Sequence, residues 1–89
     1  ILTTHTKVIV DFFADWCGPC NQIAPYFKEL SVQNPDIYFC KVNIDVGDEI
    51  ASLCDITSLP TFLFYKNKEN VDELIGTNKN DLFYKIQSL

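Results

Sequence analysis

An α/β fold, with a mixed central β-sheet flanked by helices on both faces, is predicted by three observations on this sequence. Its hydrophobic periodicity switches several times between strand-like and helix-like, in the order β-α-β-α-β-β-α. The first strand-like run, Lys7 to Phe13, is apolar on both sides, as a strand sandwiched between helical layers must be. Two cysteines two residues apart, Cys17 and Cys20, stand where that strand gives way to the first helix.

In chain order, Val8, Ile9, Val10, Phe12, Phe13 and Ala14 make the first strand a central one. From Gly18 to about Gln33, Ile23, Phe27 and Leu30 recur at i, i+4 and i+7 and define one buried stripe, and Asn34-Pro35 stops the helix. Pro25 falls inside this helix and is expected to kink it, because it removes a backbone donor. Ile37 to Ile44 reads as a second strand, with Tyr38, Cys40, Val42 and Ile44 on its more apolar face. A short helix carrying Ile50, Leu53 and Cys54 follows. Thr61–Tyr65 and Val71–Ile75 are expected to pair as a hairpin across the polar segment Lys66 to Asn70. Gly76 ends that hairpin. The last helix begins near Thr77 or Asn78 as a cap and is expected to bury Leu82, Phe83, Ile86 and Leu89.

The pair Cys17-Gly18-Pro19-Cys20 carries the chemistry. A cysteine at a helix N-terminus faces unpaired N–H groups and the positive end of the macrodipole, which stabilise the thiolate, the nucleophilic form. Cys20, about one turn further on, would resolve the mixed disulfide that Cys17 forms with a partner. Gly18-Pro19 supplies a tight helix entry, proline fixing φ where its missing N–H has no role. A zinc site would need a second closely spaced pair, but Cys40, Cys54 and His5 are scattered singly. A purely structural disulfide would close so short a loop that it removes little unfolded-state entropy.

Asp11 interrupts the apolar strand six residues before Cys17. If buried, its carboxyl becomes a stronger proton acceptor and a general base, through water, for the Cys20 thiol; the alternative is a satisfied edge-strand Asp. Lys41 is its natural charge partner or a solvated strand lysine. Leu59-Pro60-Thr61 opens the third strand, and a cis Pro60 there would let Leu59 present backbone groups to an extended substrate segment; an ordinary trans loop proline is the competing reading. Trp16 is either a core filler or a lid over the pair. Cys40 and Cys54 read as small apolar residues, with Cys54 placed for partial exposure.

Composition bounds the function further. Eighty-nine residues make one domain, and 47% hydrophobic and 13% aromatic residues can fill its core without a disulfide framework. The net charge of −5 offers no basic stripe for nucleic acid. No apolar run approaches bilayer length and no signal-like segment opens the chain, so a soluble protein is expected. The chain starts at Ile1; a cytoplasmic location is expected, with an organelle or secretory compartment the alternative if a targeting segment was removed.

Val10 to Cys20 (Val-Asp-Phe-Phe-Ala-Asp-Trp-Cys-Gly-Pro-Cys), Ile23-Ala24-Pro25, Lys41-Val42-Asn43-Ile44-Asp45, Leu59-Pro60-Thr61-Phe62 and Gly76 together resemble the thioredoxin family, over about Lys7 to Leu89. The resemblance implies a single thioredoxin domain over 1–89 that reduces protein disulfides. Cys17 would be nucleophile, Cys20 resolving, Asp11 the buried base and Pro60 cis. Trp16, Gly18, Pro19, Leu59, Pro60 and Gly76 would face the substrate. It implies no bound cofactor, client proteins bearing disulfides, a monomer, and return of the pair to dithiol by a thioredoxin reductase drawing on NADPH. An alternative is a binding subunit of a larger assembly with redox chemistry secondary, and a third is an oxidase or isomerase of the secretory pathway. Three departures stand out: Asn21 where the family usually has a basic residue, Lys68 for the hairpin glycine, and a strand and helix before Lys7 that are missing or abbreviated.

Overall fold

Residues 5–89 are described by a computed structural model. The expectation of a shortened beginning lies largely outside these residues. In chain order the elements are β1 (Lys7–Phe13), α1 (Gly18–Gln33), β2 (Tyr38–Asn43), α2 (Asp48–Leu53), β3 (Thr61–Lys66), β4 (Glu69–Ile75) and α3 (Lys79–Gln87). The four strands lie side by side as β2-β1-β3-β4. β2 runs parallel to β1, which needs the long crossover that α1 provides, whereas β3 and β4 are antiparallel to their neighbours.

Alternation along β1 sends residues to two separate cores. Ile9 joins Phe62, Phe64 and Leu74 of the sheet under Ile23, Phe27 and Leu30 of α1 and Leu82, Ile86 and Leu89 of α3. Phe12 and Leu63 face the other way and pack with Ala51 of α2. Burying a side chain the size of Phe62 or Ile9, both fully shielded, removes enough apolar surface to contribute about 2 kcal/mol each. This accounts for a first strand apolar on both sides, and it fixes Asp11, which alternates with Ile9, on the layer covered by α1.

α1 runs without a break through Pro25, and the buried stripe Cys20, Ile23, Phe27, Leu30 continues on both sides of it. One expected core position, Phe83 in α3, is corrected. In α2 only Ala51 is buried, while Ile50 and Leu53 are exposed, Leu53 at 84%. A helix of six residues offers the sheet little more than one turn, and the small Ala51 is the residue that fits against it. In α3 the stripe is Leu82 and Ile86, with Leu89 after the helix; Phe83 sits one residue, about 100°, off that stripe and is 38% exposed.

The hairpin turn is shorter than the polar segment suggested. β3 extends to Lys66 and β4 begins at Glu69, leaving Asn67 and Lys68 as a two-residue loop with φ of 54° and 73°. Positive φ at both central positions is what a type I′ turn requires, so Lys68 adopts the left-handed conformation that glycine supplies more easily. Gly76, at φ 107°, closes β4 in a conformation that other residues rarely adopt. Asn78 caps α3, its side chain accepting from the Asp81 N–H at 3.0 Å.

Lys85 of α3 donates to both carboxylate oxygens of Asp72 on β4, at 2.8 and 3.0 Å. That hydrogen bond holds the Asp72 carboxyl below its ordinary pKa, so its contribution is present above pH 4 and is lost as pH falls through the lowered value. Both side chains are partly exposed. Replacing Asp72 by Asn is therefore expected to cost only about 0.5 kcal/mol at neutral pH, an effect that shrinks in high salt and disappears at acid pH in urea denaturation.

Candidate functional site

Cys17 is the N-cap of α1 and Cys20 lies in its first turn. The two are joined as a disulfide, with Cα atoms 5.3 Å apart. The Cys17 Sγ accepts a hydrogen bond from the Cys20 backbone N–H at 3.2 Å, one of the donors that a helix N-terminus leaves unpaired. No acidic residue occupies that first turn to offset the positive end of the dipole. The Ala14 carbonyl accepts from the Cys17 N–H at 3.1 Å, and this turn swings the chain from β1 into α1.

Cys17 is only 6% exposed, because the pair packs on Ala14 with Phe13, Ile44 and Leu59 around it. Its remaining access is through a groove of about 440 Å³ whose walls include Trp16, Cys17, Pro19, Ile44 and Leu59, with Gly18 at its edge. Cys20 faces inward, in line with the buried stripe of α1.

Asp11 is 1% exposed, on the sheet layer that α1 covers. Burial pushes its carboxyl up from 3.8 to about 6, with the Lys41 ammonium pulling partly the other way. Asp11 pairs in register with Lys41 on one side and Phe62 on the other. Its Oδ1 has no hydrogen-bond partner. That unpartnered carboxylate oxygen lies on the sheet layer covered by α1, whose buried stripe includes Cys20. Lys41 is itself exposed and lies over the Phe13 ring at 4.4 Å, a cation–π contact that keeps the ammonium near the strand rather than free in solvent.

The Leu59–Pro60 bond is cis. Leu59 lines the groove, whereas Pro60 is fully buried and stands behind it. Gly76 donates its N–H to the Pro60 carbonyl at 3.0 Å, which brings the end of β4 beside this segment, but Gly76 does not line the groove. Trp16 is 68% exposed and so is no core filler; its indole N–H donates to Asp45 at 3.0 Å, holding the ring over the rim. Sequence reasoning missed Asp45 and the Ile56-Thr57-Ser58 wall of the groove, since nothing in the local pattern of those segments points at a strand end on the far side of β1.

Cys40 is half-buried, its thiol donating to the Ile9 carbonyl at 3.6 Å, and burial pushes that thiol's pKa up. Cys54 is also half-buried, at the end of α2. Among the described residues no group of three or more His, Cys, Asp or Glu is placed to hold a metal ion, and no helix is long and apolar enough to cross a membrane.

Comparison with known proteins is consistent along the whole chain. The family model described as Thioredoxin matches residues 1–88. Thioredoxin 1 of Plasmodium falciparum (isolate 3D7) is 46% identical over 82 residues, which span 92% of this chain and 79% of that protein. A solved structure of Plasmodium falciparum thioredoxin superposes with a TM-score of 0.94 at 44% identity, covering 98% of this chain and 85% of the other. Mitochondrial thioredoxin 3 from Saccharomyces cerevisiae, in its oxidized form, superposes with a TM-score of 0.95 at 34% identity, covering 99% and 83%.

Proposed function

The chain belongs to the thioredoxin family of disulfide oxidoreductases, with a redox-active Cys17–Cys20 couple, and from that premise we propose how its residues divide the work. Reduced Cys17, as thiolate, attacks one sulfur of a client disulfide; the other client sulfur leaves as thiolate and a mixed disulfide forms. Asp11, through water, then takes the proton of the Cys20 thiol, and the Cys20 sulfur attacks Cys17 Sγ and expels the second client thiolate. The client gains two electrons, and the chain is left with the Cys17–Cys20 disulfide.

The observation that carries this reading is the Cys17 sulfur, bonded to a helix N-terminal N–H and opening onto an apolar groove. The buried acceptor Asp11 supports the second step: a carboxyl titrating at about 6 is mostly ionised at pH 7 yet basic enough to accept a proton. Trp16, Gly18, Pro19 and Leu59 would contact the client beside the pair, with Pro60 and Gly76 supporting the Leu59 segment from behind. A flavoprotein reductase drawing electrons from NADPH would return the pair to dithiol. The same reading takes 1–89 as one thioredoxin domain, acting as a monomer in the cytoplasm on disulfide-bearing proteins.

The test is insulin reduction driven by dithiothreitol. Precipitation of the freed chains should begin earlier and proceed faster with the protein present, and a rate no greater than dithiothreitol alone would overturn the proposal. Equilibration of the couple against glutathione separates reductant from oxidase: the protein pair should end mostly as disulfide, with glutathione disulfide reduced.

A further inference from the structure

Resting on that reading, we infer that Asp15, Asp45, Asp55 and the neutral Asn21 determine client choice, selecting disulfides flanked by lysine or arginine. None of the side chains forming the groove is charged. The residues next to them in the chain are Asp15, Cys20, Asn43, Asp45, Asp55 and Pro60, which amounts to three carboxylates and no cation. All three carboxylates are exposed. Two are fixed at the rim by one connected set of hydrogen bonds: Trp16 donates to Asp45 at 3.0 Å, Asn43 Nδ2 donates to Asp15 at 3.4 Å, and Asn43 Oδ1 accepts from the Asp45 N–H at 2.9 Å. Asp48 and Glu49, opening α2, add to the same sign.

Asn21, directly after Cys20 in the first turn of α1, is neutral. Here the Asn21 amide donates to the Asp15 carbonyl at 3.1 Å and leaves the Asp15 charge uncompensated. No lysine lines the groove or adjoins one of its lining residues in the chain. Lys7 and Lys66 pair in register at the opposite end of β1, and Lys68 is in the turn beyond them. At the rise of a strand, that end lies roughly 20 Å from Phe13, more than two Debye lengths at physiological salt. Lys85 is occupied by Asp72. Lys28 and Lys41 line, with Asn21, a second hollow, where Lys41 is held over Phe13; Lys79 is held over Tyr26. The charges bordering the groove are therefore carboxylates, which draw in cationic segments and repel anionic ones before any contact forms.

Three peptide disulfides, identical except for Lys, Ser or Glu on either side of the bond, test this with the reduced protein in stopped flow. At low ionic strength the Lys peptide should be reduced about tenfold faster than the Glu peptide, with the ratio falling steeply as salt is added. Asn21→Lys should lower the ratio, as should Asp15→Asn combined with Asp55→Asn. Equal rates for the three peptides, or a preference that neither salt nor these substitutions change, overturns the inference while leaving the oxidoreductase reading intact. Failure to reduce any of the three, the Ser peptide included, overturns both.

Discussion

Cys17→Ser is expected to drop disulfide reduction to the uncatalysed background, whereas Cys20→Ser is expected to stop the reaction halfway with the client attached. The asymmetry follows from placement. Cys17 caps α1, accepts a backbone N–H and is the cysteine that reaches the groove, while Cys20 is turned into the buried stripe of the helix. A serine at 17 offers a hydroxyl that stays protonated at neutral pH and cannot exchange with a disulfide. A serine at 20 leaves the first attack possible but removes the sulfur that expels the client. Mass spectrometry after mixing with a disulfide substrate reads the difference directly. Cys20→Ser should accumulate a one-to-one adduct through Cys17, and Cys17→Ser should form none. An adduct through Cys20 in the Cys17→Ser protein, at a comparable rate, would reverse the assignment.

Asp11→Asn should make the oxidised protein more stable by about 3 kcal/mol at pH 7 and slow resolution of the mixed disulfide by about a hundredfold. Burial raises the Asp11 carboxyl from 3.8 to about 6, so between those values the folded chain holds a proton that the unfolded chain has released. Stability then falls as pH rises through this window, and above it the folded state carries the full cost of a buried charge. About two pKa units, at 1.36 kcal/mol each, set the size of the effect. Asn has the shape of Asp but no charge to lose, so urea denaturation should show the two proteins converging near pH 3.5 and diverging toward pH 7. A variant less stable than the parent at pH 7, or a difference that does not vary with pH, would contradict the buried-base assignment. The kinetic half is read by following release of a client thiol after the mixed disulfide has formed.

Several features were legible in the residues because they are local. The bounds of β1 and α1, the Asn78 cap and the end of β4 at Gly76 depend on neighbours a few positions away, and all appear as the sequence predicts. Burial of Asp11 was legible too, since an aspartate flanked by Val10 and Phe12 in a strand covered on both sides is shielded from bulk solvent. Phe83 was misread because hydrophobicity says only that a residue gains from burial; whether a surface exists to bury it against depends on which neighbours claim the stripe first. The hairpin's loop was drawn too long because Lys66, Glu69 and Asn70 are polar in composition yet pair through their backbones.

By itself the sequence determined the order of elements, the two-sided core, the reactive pair at a helix entry and the acid beneath it, because each rests on spacing within a short stretch of chain. Only the tertiary structure decided that Cys17 is reached through a groove rather than lying open, that Leu59 lines this groove while Pro60 stands behind it, and that Asp45 holds Trp16 across 29 residues of sequence. Those are relations between segments brought together by β1 lying between β2 and β3. The packing of distant segments leaves no periodicity in the chain from which they could be read.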